Sequence, residues 1–161
     1  MAVAIPGLST LGITFSYGVE TSAGVKPTKF TLLERCSEIA GISLETEQID
    51  VSTLEDYISR YVAGRQDTGG TWEVTFNITD ETVEQLEGMM EASSTAQPSG
   101  LQTWFQVSHP DMSKAFFVIA QPGTQIPLPD MAQNEAMTGA ISLVISEYKG
   151  LDTKVVPTSG D

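Results

Sequence analysis

Cysteine and histidine are almost missing from this sequence: Cys36 and His109 are the only ones. One cysteine excludes an internal disulfide framework and suits a reducing compartment of synthesis. We expect Cys36 to be a small, half-buried packing residue. One histidine and one cysteine are too few for a transition-metal site. Any Ser-His-Asp arrangement would have to use His109, which lies in Ser108-His109-Pro110-Asp111, the composition of a tight turn. The expectation is therefore an exposed turn histidine, no enzyme activity, no metal and no cofactor. Long apolar runs are missing too, so no membrane-spanning helix and no membrane partner are expected. The start, MAVAIPGLSTLG, lacks the basic n-region of a secretory signal.

Cations are scarce as well. Eight Lys and Arg face 21 Asp and Glu, a formal net charge of -13. Such a surface repels phosphate backbones and argues against sequence-reading or phosphate-tracking DNA binding. Two readings of the acidity stay open: simple solubility, or a surface from which nucleic acid must slide away. Acidic pairs such as Glu45 with Glu47 and Glu55 with Asp56 arise by chance at this composition, so they are weak support for glycoside hydrolysis. No EF-hand spacing accompanies them. The Asn77-Ile78-Thr79 sequon carries no meaning without a signal peptide.

What is present is an ordinary globular composition: 161 residues, 40% hydrophobic, mean hydropathy -0.03. That length fits one domain over residues 1–161, with flexible termini over about 1–9 and 151–161. Thr10 to Glu20 carries Ile13, Phe15, Tyr17 and Val19 at every second position, a strand with one buried face. Lys29 to Gly41 holds a short apolar run that reads as strand up to Leu33. TWEVTFNI, Thr71 to Ile78, alternates most clearly. TDETVEQLEGMMEA then predicts a helix over about 80–92, capped by Thr79 or Asp80, with Val83, Leu86 and Met90 as its apolar stripe and Met89 at the edge. Further strands are expected at LQTWFQV, AFFVIA and TGAISLVISEYKG. Gln121 to Met137 is too proline-rich for a central strand. The sum is a mainly β protein, an antiparallel β-sandwich or barrel with one flanking α-helix.

Between the early strands, about 43–70 reads as a long loop with little regular structure. Leu54, Tyr57, Ile58 and Tyr61 fall at the spacing of a helical turn. A loop that carries apolar side chains away from its own core packs on something else. It closes with GRQDTGGT, Gly64 to Thr71, one residue away from the phosphate-loop pattern G-x-x-x-x-G-K-[S/T], with Gly70 at the lysine position. A phosphate loop needs a strand before it and a helix after it. Here a strand follows, the lysine is missing and Asp67 would oppose a phosphate. The glycines Gly64, Gly69 and Gly70 read instead as a hinge into the next strand.

The ordered string from Ile49 to Met90 resembles the major tail tube proteins of long-tailed, siphovirus-like bacteriophages. In that family a similar loop, here Asp50-Val51-Ser52 followed by Tyr61-x-x-Gly64-x-x-Asp67-x-Gly69, precedes an alternating strand and a helix. The likeness lies in order and spacing and extends over roughly Gly12 to Gly150. Gln121 to Pro129 departs from it, since the family often has a more regular strand there. The resemblance implies a structural virion protein, assembled in the host bacterial cytoplasm into stacked hexameric rings. These form a hollow tail tube whose acidic channel passes DNA during ejection. It implies as partners further copies of the chain, the tape measure, tail terminator and distal tail proteins, and transient non-specific DNA. The loop would reach an adjacent subunit through Asp50, Leu54, Tyr57, Ile58, Tyr61, Val62 and Asp67, while Glu20 and Glu73 are candidate lumen acids. Two alternatives stand beside it: the inner tube of a contractile injection machine, and a monomeric carbohydrate-binding module with Trp72 or Trp104 as a stacking platform.

Overall fold

The computed structural model describes residues 7–159. Among these residues ten strands and one α-helix follow one another as β1 (Thr14–Val19), β2 (Thr31–Leu33), β3 (Cys36–Ile39), β4 (Glu45–Asp50), β5 (Tyr61–Asp67), β6 (Thr71–Asn77), α1 (Asp80–Ala96), β7 (Thr103–Ser108), β8 (Lys114–Pro122), β9 (Thr138–Thr153) and β10 (Thr158–Ser159). Eight of the strands form one sheet in the order β10-β2-β1-β7-β8-β9-β6-β3, while β4 and β5 pair only with each other. Neighbouring strands are antiparallel except β10 on β2.

β9 joins the two halves of the large sheet. Thr138 to Val144 pair with β6, and Leu143 to Thr153 pair with β8. Register shifts at Phe117/Val118 and Ile119/Ala120 bend this pair, because an extra residue on one strand kinks and twists the ladder. The sheet consequently curls until the inner face of β1 and β7 meets that of β6. Phe15 lies 5.6 Å from Trp72, 5.9 Å from Phe76 and 5.5 Å from Phe105, ring centroid to centroid. Val74, Val118, Ile141 and Leu143 complete this core. The architecture is a mainly β, antiparallel, unclosed barrel with a flanking helix.

α1 begins where Thr79 Oγ1 accepts the backbone N–H of Thr82 at 3.2 Å, with Asp80 and Glu81 in the first turn favouring its positive end. It continues four residues past the expected end, through Ala96, into a 3-10 turn (Gln97–Ser99) that Gly100 stops with φ 74°. Leu86, Met89 and Met90 are buried in the core. Each contributes about 1.5–3 kcal/mol by area removed from water.

Two expectations are corrected here. The stretch 43–70 is not an irregular loop, since most of it is the hairpin of β4 and β5. The helical spacing of Leu54, Tyr57, Ile58 and Tyr61 is not realised: 51–60 form bends and turns, and Tyr61 opens β5. The C-terminal segment does not fray over 151–159. It covers a second apolar cluster of Phe30, Trp104, Ala115, Phe117 and Ile119, against which Val155 packs, and ends as β10. Residues 1–6, Gly160 and Asp161 lie outside the described residues.

Candidate assembly surfaces

The hairpin stands clear of the body. Every residue of β4 is exposed, and so is every residue of β5 except Gly64. Ile49 pairs directly with Val62, and with Val51 they make an apolar stripe left 46–48% exposed. Tyr61, 56% exposed, pairs with Asp50. A two-stranded hairpin with both faces exposed is marginal in water.

Its tip is built, not loose. Asp50 Oδ1 accepts the N–H of Ser52 at 2.8 Å, and Ser52 Oγ accepts that of Arg60 at 2.7 Å. Asp56 Oδ2 accepts the N–H of Thr53 at 2.9 Å, and its other oxygen meets Arg60 Nε at 3.2 Å. The Ser52 hydrogen bonds hold the Asp50 carboxyl below its ordinary value. Its ordering contribution is thus present above that value and lost only as pH falls through the lowered one. With polar groups turned inward, Leu54 (107%), Tyr57 (105%) and Ile58 (81%) project fully into solvent.

The base of the hairpin turns on Gly69 and Gly70, at φ 87° and 79°, with Asp67 Oδ1 accepting the Gly69 N–H at 2.9 Å. An L side chain is strained at both positions. Gly64 is different, and its assignment as a hinge is corrected. It lies inside β5, where the register shifts between Thr46 and Gln48, and a Cβ there would stand 3.2 Å from Glu47 Cβ and Ile49 Cδ1. Close approach at a bulge explains this glycine.

Of the two candidate lumen acids, the structure separates one from the other. Glu73 is exposed on the face of β6 turned away from the core, beside Thr71 and Thr75 and opposite Ser142. Glu20 cannot line any channel. It is 2% exposed, and its carboxylate accepts the Gln102 N–H at 2.8 Å and Trp104 Nε1–H at 3.0 Å. The carbohydrate platform fails on burial as well, since Trp72 and Trp104 are 2% and 5% exposed. His109 is buried instead of exposed: Nε2 donates to Ser9 O at 2.6 Å, and Nδ1 accepts the Asp111 N–H at 3.0 Å. Cys36 is half-buried, which pushes its thiol up to about 11. Among the described residues there is no cluster of His, Cys, Asp or Glu able to hold a metal ion, and no helix long and apolar enough to cross a membrane.

One surface was not legible in the sequence. The barrel interior opens at one end into an apolar mouth of about 350 Å³, with Trp72 and Val118 at its floor and Ile13, Ile42, Phe116 and Tyr148 around it. Its residues come from β1's approach, β3's exit, β6, β7, β8 and β9, so no single segment carries the signal.

No family model matches the chain, and neither does any curated protein sequence. Solved structures do share its fold. A chain in the tail of an empty GTA particle, refined with C6 symmetry, superposes with a TM-score of 0.55 at 14% identity, covering 92% of this chain and 99% of that one. A chain in the native gene transfer agent virion gives 0.54 at 14%, with the same coverage of 92% and 99%. A chain in the 6-fold symmetrised baseplate of the anti-feeding prophage gives 0.53 at 12%, covering 91% and 96%.

Proposed function

We propose that this chain is a structural subunit of a phage tail or a phage-derived tail-like particle, assembling with copies of itself into the rings of a hollow tube. The observation that carries this reading is the hairpin, whose apolar tip and stripe have no partner among the described residues. The end-to-end fold likeness to chains of C6 tails and a 6-fold baseplate supports it. Hexameric rings give each hairpin a neighbour and each free sheet edge a covering strand. The tube would pass DNA without holding it, because Glu73 and a net charge of -13 present phosphate with like charge over ~8–10 Å. The protein then works by assembly and electrostatics and not by catalysis.

Negative-stain electron microscopy of the purified protein at high concentration tests this directly. Rings or tubes are expected; monodisperse monomers at every concentration and salt would overturn it. The likeness to an anti-feeding prophage baseplate chain keeps a contractile injection machine as a second home for the same subunit. Co-purification of tubes with a surrounding sheath would favour that home.

A further inference from the structure

The barrel mouth and the hairpin tip are complementary. Among the described residues no charged side chain lines the mouth, and the Trp72 indole N–H there is already satisfied, donating to Ala40 O at 2.7 Å. Such a surface offers apolar area, so it selects an apolar occupant. At about 350 Å³, with Ile13 and Phe116 37% and 39% exposed at its rim, it has room for two or three side chains. The tip presents three, Leu54, Tyr57 and Ile58, on a loop that Asp56 and Ser52 hold in place. Pre-organisation of that kind lowers the entropy cost of docking.

The tip cannot fill the mouth of its own molecule. Ala40, Gly41 and Ile42 line the mouth and lead directly into β4, so the hairpin springs from the rim. The six residues of β4, five of them paired with β5, at about 3.3 Å each carry the tip roughly 20 Å away, and the ladder hydrogen bonds prevent it from folding back. A knob and a hole on one chain, unable to meet each other, make a head-to-tail contact between copies.

We propose that the open end of the barrel, around Ile13, Ile42, Phe116 and Tyr148, is the receptor for the hairpin tip of a second copy of this chain, with Leu54, Tyr57 and Ile58 entering it. This rests on the self-assembling reading above and adds the address of the contact. Each subunit donates a tip to one neighbour and receives one from another, so the contact propagates.

Cysteine pairing tests the address. All proteins in the test carry Cys36→Ser, so that the half-buried free thiol cannot take part in the reaction. Full-length Ile58→Cys and Phe116→Cys proteins are mixed, allowed to assemble, and oxidised with diamide. The mixture is expected to give about ten-fold more disulfide dimer than either variant alone, through the high effective concentration of docked thiols. Ile13→Cys serves as a second mouth variant should Phe116→Cys fold poorly. Tubes in the microscope without the mixed disulfide would overturn the address and leave the tube reading standing. Monomers without the disulfide would overturn both. A link formed within one molecule of the Ile58→Cys/Phe116→Cys double variant would also overturn the proposal.

Discussion

Glu20 closes the gap between two strand ends by holding two donors at once, the Gln102 N–H and the Trp104 indole. Its own N–H donates to Gln102 O at 3.0 Å. Removing the carboxylate leaves both donors without a partner in a dry site. Glu20→Ala is therefore expected to destabilise the monomer by about 2–4 kcal/mol, and Glu20→Gln, which keeps an acceptor, by about half as much. Urea unfolding checks this; equal costs for the two variants would rule out the hydrogen-bonding role. The sequence placed Glu20 correctly at the end of an alternating strand. What it could not show is that Trp104, 84 residues later, comes to lie against it. His109 is internal for the same reason: turn composition is local, whereas its Ser9 partner lies 100 residues away along the chain.

Elements were legible in proportion to how asymmetrically they are buried. β6 has one face in the core and one outside, so its alternation was plain. α1 announced itself through its cap, its acidic first turn and an apolar stripe. β4 and β5 are exposed on both faces, so ETEQID and YVAGRQD carry no alternation, and the helical spacing in the tip is met by non-helical turns and bends. β7 forms where a strand is expected, at LQTWFQV, but its alternation does not mark an outer face. Both of its faces are buried, and Gln106, fully enclosed, bonds both backbone groups of Val155 at 2.9 and 2.7 Å. That residue is the clamp for the C-terminal segment. Ending the chain after Thr153 should expose Phe30 and Phe117 and strand the Gln106 amide, costing about 2–4 kcal/mol. Chemical denaturation of the truncated protein would show it; an unchanged midpoint would mean the segment contributes nothing.

At the scale of the whole molecule, charge is the feature that composition alone states and that assembly would amplify. In a tube, Glu73 would be repeated at every subunit. Glu73→Lys is expected to leave tubes intact, because the side chain is exposed and outside the core, and to make them retain DNA. Gel-shift of assembled tubes with short duplex DNA at low salt reads this out. Absence of retention by the lysine variant would remove Glu73 from the bore. Sequence by itself determined the class of the fold, the helix, the acidity and the poverty of catalytic side chains, since those follow from local periodicity and composition. Only the tertiary structure decided that Glu20, Trp104 and His109 are internal, that 45–67 is a projecting hairpin, and that the barrel keeps an open apolar mouth. Burial and cavities arise where distant segments meet, and a pattern along one segment holds no record of what the others bring to it.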